Sequence, residues 1–136
     1  MPHEKSVNVH QWLVKAKRDV LMAERAAHGS PAIPDGAVFH CQQAAEKALK
    51  AFLTWNDRTF RKTHQLQELV LRCADIDGEF QTLRGAAETL TPYAVDFLYP
   101  GTMPEPTQEE AEEALDLARQ VLSFVLDRLP PEVRTL

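Results

Sequence analysis

The sequence predicts an all-α protein, an antiparallel up-and-down bundle of four to five helices, and three observations carry that prediction. Every apolar pattern of useful length recurs at three- and four-residue steps, the period of a helix, and none alternates with the period of two that a strand requires. Glycine, proline and small polar residues separate those patterns and leave only short connections, as in antiparallel bundles. The 136 residues suffice for one hydrophobic core, so residues 1–136 are read as a single domain with core helices over about 8–129.

The first helix is expected from Asn8 to about His28, with Val9, Leu13, Ala16, Val20, Ala23 and Ala27 as its buried stripe and Asn8 with Gln11 as a capping box. Gly29-Ser30-Pro31 stops it. The second starts near Pro34-Asp35 and runs to Trp55 or Asn56. Val38, Cys41, Ala45, Ala48 and Phe52 form its main stripe, and Phe39, Gln42, Glu46, Leu49 and Leu53 a second of mixed character. Two apolar-bearing stripes imply more than one neighbour, and Phe39 and Leu53 are the candidates for a homodimer face.

The stretch from Asn56 to Lys62 is polar and basic, after which Thr63 is expected to cap a third helix with Leu66, Leu69, Val70 and Cys73 on its inner face. A fourth pattern, Phe80, Leu83, Ala87, Leu90, Ala94 and Phe97, passes through Pro92, where a kink or short break after Thr91 is expected. Tyr99 to Pro106 reads as a loop. Thr107 and Glu110 predict a capping box for the last helix, which carries Ala111, Ala114, Leu115, Ala118, Val121, Leu122, Val125 and Leu129 and is ended by Pro130-Pro131. The glutamates crowding its first turn suit the helix dipole and a solvated face.

Composition limits what such a bundle can do. Hydrophobic residues are 44% and charged residues 26% of the chain, which excludes a disordered segment. A formal charge of −5 excludes a surface that is basic as a whole, so any polyanion site must be local. Cys41 and Cys73 lie on apolar helix faces without metal-ligand spacing, and two reduced core thiols in a cytoplasmic protein are the reading they support. No apolar run approaches the ~20 residues of a membrane span. A Gly-rich phosphate loop, a zinc motif and a nucleophile elbow are all missing, so no cofactor or metal site is expected, nor a hydrolase, kinase or oxidoreductase of the common kinds.

One basic cluster stands out. His40, Gln43, Lys47 and Lys50 recur along one face of the second helix, and Arg58, Arg61, Lys62 and His64 follow. Such a cluster suits phosphate oxygens, and Tyr99 can add a ring that stacks on a base. The plainer alternative is a solvated helix back with Glu46 and Lys50 as an i,i+4 ion pair and His64 in a structural role.

Three segments, taken together and in this order, resemble the HEPN family. They are Phe39-His40-Cys41-Gln42-Gln43-Ala44-Ala45-Glu46-Lys47-Ala48-Leu49-Lys50-Ala51, then Thr63-His64-Gln65-Leu66 followed by Leu69, and Tyr99-Pro100. Trp12, Asp19 and Ala23 extend the likeness. The resemblance implies a helical bundle, often a homodimer, associated with nucleotide or RNA biology and with a small nucleotidyltransferase in pairs that act as toxin and antitoxin. Some relatives are metal-independent ribonucleases with Arg-x(4–6)-His, a spacing that Arg58 and His64 satisfy. Leu98 stands where many members carry Arg before Tyr-Pro, a departure that removes a bidentate phosphate donor. The expectation is a nucleotide- or RNA-associated binding domain, non-catalytic and partnered by a nucleotidyltransferase. The alternatives are a ribonuclease toxin acting across a homodimer with Arg58 and His64, and a bundle that serves protein interaction alone.

Overall fold

The computed structural model describes residues 2–95, 100–101 and 104–134. They form α1 (Pro2–His28), α2 (Pro34–Trp55), α3 (Leu66–Ala74), a 3-10 segment (Gly78–Leu83), α4 (Arg84–Leu90), a second 3-10 segment (Thr91–Ala94), α5 (Gln108–Leu126) and α6 (Pro131–Arg134), with no strand among the described residues. The all-α bundle is therefore as expected, though its fourth helical region is divided and a short sixth helix is added.

α2 is the axis of the bundle and packs against α1, α3, α4 and α5. Both of its stripes are covered: Val38, Cys41, Ala45, Ala48 and Phe52 on one, Gln42, Glu46, Leu49 and Leu53 on the other. Only a helix surrounded by others needs apolar or fully paired residues on nearly every side. The predicted stripe of α1, from Val9 to Ala27, is buried against it, and α5 closes the core with Ala111, Ala114, Leu115, Ala118, Val121, Leu122 and Val125. Small residues on all three helices let their backbones approach closely. Leu53, expected on a dimer face, is wholly buried inside this core, because α2 has an internal neighbour on that side as well; Phe39 alone stays partly exposed.

The connections follow from local chemistry. α1 begins at Pro2, so Asn8 and Gln11 lie inside the helix and the expected capping box does not form; proline is tolerated in a first turn and Glu4 suits the dipole there. Gly29 ends the helix where a Cβ would stand 2.7 Å from the Arg25 carbonyl oxygen, a contact that only glycine avoids. Thr107 and Glu110 form the predicted capping box, with Glu110 N donating to Thr107 Oγ1 (3.1 Å) and Thr107 N to Glu110 Oε1 (2.9 Å). α5 ends at Leu126, before the proline pair, and Pro131 opens α6 instead, which buries Val133. His10 Nδ1 donates to the Val133 carbonyl (3.2 Å), holding α6 against α1.

The start of α3 also differs from expectation. Thr63 Oγ1 accepts from Gln65 N (3.0 Å) and shapes the turn before the helix, whereas the first helical amide, Leu66 N, donates to Thr91 Oγ1 (3.1 Å). The break foreseen after Thr91 thus places its hydroxyl over another helix's end. Phe97 lies outside the described residues.

The thiols behave as core groups. Cys41 and Cys73 are fully buried, and desolvation pushes each up to about 12. Among the described residues no helix is long and apolar enough to cross a membrane.

Candidate functional site

Polar side chains on α2 sort onto two sides of that helix. Gln42, Glu46 and Lys50 are one turn apart each and face the connection at residues 56–65; His40, Gln43 and Lys47 follow a neighbouring line toward α1.

Glu46 is the hub of the first group. Only 5% exposed, its Oε1 accepts from His64 Nδ1 (2.8 Å) and Gln42 Nε2 (3.2 Å), and its Oε2 from Lys50 Nζ (2.9 Å). Gln42 Nε2 also donates to the His64 carbonyl (3.0 Å), while Gln42 Oε1 accepts from Gln43 Nε2 (2.7 Å). Burial alone would raise the Glu46 carboxyl, but the hydrogen bonds from His64, Lys50 and Gln42 outweigh it and hold the carboxyl below its ordinary value. The Lys50 ammonium lies 5.6 Å from the Trp12 ring centroid and 5.5 Å from that of Phe60, so its positive charge meets aromatic faces as well as a carboxylate.

The second group centres on Asp19 of α1, which is 2% exposed. Its Oδ1 accepts from His40 Nδ1 (2.9 Å) and its Oδ2 from Lys47 Nζ (2.6 Å). Phe39 meets the His40 ring edge-on, with centroids 5.2 Å apart.

The loop is pinned at several points. Asp57 adopts a left-handed φ of 58°, which aspartate tolerates, and its carboxylate accepts from Lys5 Nζ (3.2 Å). Arg58 N donates to the Leu53 carbonyl (2.9 Å) and Arg72 Nη1 to that of Thr59 (3.0 Å). Phe60 packs edge-on against Trp12 with centroids 6.2 Å apart. Arg61 makes a two-pronged contact with Glu68, through Nε (2.9 Å) and Nη2 (2.8 Å). Arg58 and Lys62 are exposed and have no carboxylate partner among the described residues. His64 is half exposed, and with Nδ1 turned to Glu46 its Nε2 is the outer ring nitrogen.

The cluster read from sequence is thus brought together and then divided. Lys50 leaves the face of His40, Gln43 and Lys47, because a glutamate one turn before it is a closer partner than solvent. Lys47, Lys50 and Arg61 are each matched by a carboxylate, and Arg58, Lys62 and His64 remain as the outward-facing set. Tyr99 and Leu98 lie outside the described residues. The Glu46–Lys50 pair was readable as an i,i+4 spacing; the roles of Asp19, Gln42 and Glu68 were not singled out. Asp19 carried a signal, since Ala16, Asp19 and Ala23 share the edge of a buried stripe and an acid there needs a partner. No group of three metal-ligating side chains occurs among the described residues.

The family pattern described as the HEPN domain matches residues 9–129. Among solved structures, the protein TT1696 from Thermus thermophilus superimposes with a TM-score of 0.76 at 31% identity, over 89% of this chain and 98% of that one. ST0689, described as an archaeal HEPN homologue, superimposes with a TM-score of 0.72 at 25% identity, over 88% of this chain and 96% of that one. Curated protein sequences yield no match.

Proposed function

Because the chain belongs to the HEPN domain family, we propose that it is a nucleotide- or RNA-associated binding domain, the non-catalytic partner of a small nucleotidyltransferase in a pair of toxin–antitoxin type, acting in the cytoplasm as a homodimer. The observation that supports this reading is the outward-facing set on one pinned loop, Arg58, Lys62 and His64, in a chain whose net charge is −5. A rigid loop that offers two cations and a ring nitrogen holds phosphate oxygens at little ordering cost. Glu46 suits the role of anchor better than that of base, since a carboxylate already bound to Lys50 and Gln42 is a weak proton acceptor.

Calorimetric titration with adenine nucleotides and a short single-stranded RNA tests the ligand. Affinity should fall with salt, and Arg58→Ala and Lys62→Ala should each weaken it about tenfold, the usual scale of one hydrogen bond to a charged group. If neither ligand binds at millimolar concentration in low salt, the protein-interaction bundle replaces this reading. Co-purification with a nucleotidyltransferase encoded beside the gene tests the partner. Sedimentation tests the dimer: Phe39→Glu should yield monomers.

The ribonuclease reading keeps one supporting observation. Glu46 orients His64 with Nε2 outward, as a carboxylate orients a general base, and Arg58 lies on the same loop. Cleavage of RNA by the metal-free protein, abolished by His64→Ala, would put this reading ahead.

A further inference from the structure

A groove of about 430 Å³ runs between α1 and the last turns of α2, lined by Asn8, Gln11, Trp12, Lys15 and Thr54. Its size falls within the range of small-ligand sites, about 300–1,000 Å³. Nothing in the basic cluster read from the sequence includes it.

The groove's wall and rim differ in chemistry. Its wall is the half-buried Trp12 indole, kept in place by the Phe60 edge and the Lys50 ammonium. On the rim, the exposed amides of Asn8 and Gln11 offer paired donors and acceptors one turn apart, and neither makes a side-chain hydrogen bond among the described residues. Lys15 is exposed a turn further on, also without a carboxylate partner there. Thr54 donates its hydroxyl hydrogen to the Lys50 carbonyl (2.8 Å), so its oxygen is left to accept. Trp12 is the only large apolar side chain in the lining, which offers an acyl chain no aliphatic wall. A flat aromatic wall, amides at the edge and a cation beside them match a planar heterocycle with a hydrogen-bonding edge and an attached anion.

From this we infer that the groove receives the base of a nucleotide, with Trp12 along its plane, Asn8 and Gln11 at its edge and Lys15 near its phosphate. The inference rests on the nucleotide-binding reading above and gives that reading a place for the base. Phe60, which packs against Trp12, belongs to the loop that carries Arg58 and Lys62. A mononucleotide and one residue of a single strand share the required chemistry.

The experiment titrates AMP, ribose 5-phosphate and a short single-stranded RNA into the full chain, with affinity followed by calorimetry and Trp12 by its indole N–H resonance, assigned with Trp55→Phe. Gln11→Ala and Lys15→Ala replace exposed side chains and leave folding intact. Each should weaken AMP or RNA about tenfold, Gln11→Ala should leave ribose 5-phosphate unaffected, and the Trp12 resonance should move only with ligands that carry a base. Binding of AMP points to a free nucleotide and binding of RNA alone to a strand; either supports the groove. Binding that responds to Arg58→Ala and Lys62→Ala but not to Gln11→Ala, Lys15→Ala or the Trp12 resonance overturns the groove and leaves the broader reading standing. Absence of binding by every ligand overturns both.

Discussion

Two ion pairs flank the same loop and show how burial decides what a charge is for. Lys50 and Glu46 have side chains 7% and 6% exposed, sit one turn apart on α2, and are further tied to His64 and Gln42. Arg61 and Glu68 have the better contact geometry, yet the arginine side chain is 69% exposed. Water already satisfies the exposed pair, so its contact adds little, whereas each member of the buried pair depends on the other. The difference ties the inner pair to the loop through the His64–Glu46 bond and leaves the outer pair in contact with solvent.

Breaking the inner pair should have the largest effect. Glu46→Ala strands the Lys50 ammonium and should cost about 3–5 kcal/mol, read from the urea midpoint. Replacing both by apolar residues, Glu46→Leu with Lys50→Met, should recover most of that loss, because no buried charge then lacks a partner. If the double variant is as unstable as the single one, the pair acts through more than its charge.

His64→Ala comes next. It removes one hydrogen bond to the Glu46 carboxylate from a half-exposed ring, and the cost should be about 1.5 kcal/mol, the lower end for such bonds. Amide exchange at residues 56–65 should rise in the same variant while α2 stays protected.

Acid sharpens the contrast. The Glu46 carboxyl is held below its ordinary value of 4.5, so the stability it contributes is complete above that value and is lost as pH falls through the lower folded value. Urea unfolding followed from neutral into acid should show wild type losing stability more steeply below pH 4.5 than Glu46→Gln does. The smallest effect belongs to the outer pair: Glu68→Ala should leave the unfolding midpoint unchanged within error, while anion binding at the loop strengthens as Arg61 is released.

Much of the fold was legible in the sequence because helical period and chain breakers are local signals. The α1 stripe, the start of α2 at Pro34, the break at Thr91 and the Thr107–Glu110 box could all be read within a turn or two of chain. The site was legible as a set of residues but not as an arrangement. Lys50 has a long side chain that can reach either of two helix sides, and the i,i+4 glutamate decided between them. Leu53 looked available because a stripe on one helix does not say which of its sides other elements will cover. Arg61 faces Glu68 across a turn whose shape depends on contacts with α1 and α3. Asn8 shows the reverse error, a good local capping signal overridden by a helix that begins earlier.

The hydroxyl of Thr91 carries a consequence for the order of assembly. α3 has nine residues, well below the roughly 12–15 at which a helix holds by itself, and the amide that opens it is closed by a side chain 25 positions later. The partner of that first amide is therefore not local, and the intervening loop must close before the bond repays the lost chain entropy. α1 and α2, joined by a short turn, need no such appointment. α3 and the segment from Arg84 to Ala94 should gain amide protection in the same kinetic phase during refolding, after the α1–α2 hairpin. Thr91→Val should delay protection at Leu66, in a helix to which residue 91 does not belong.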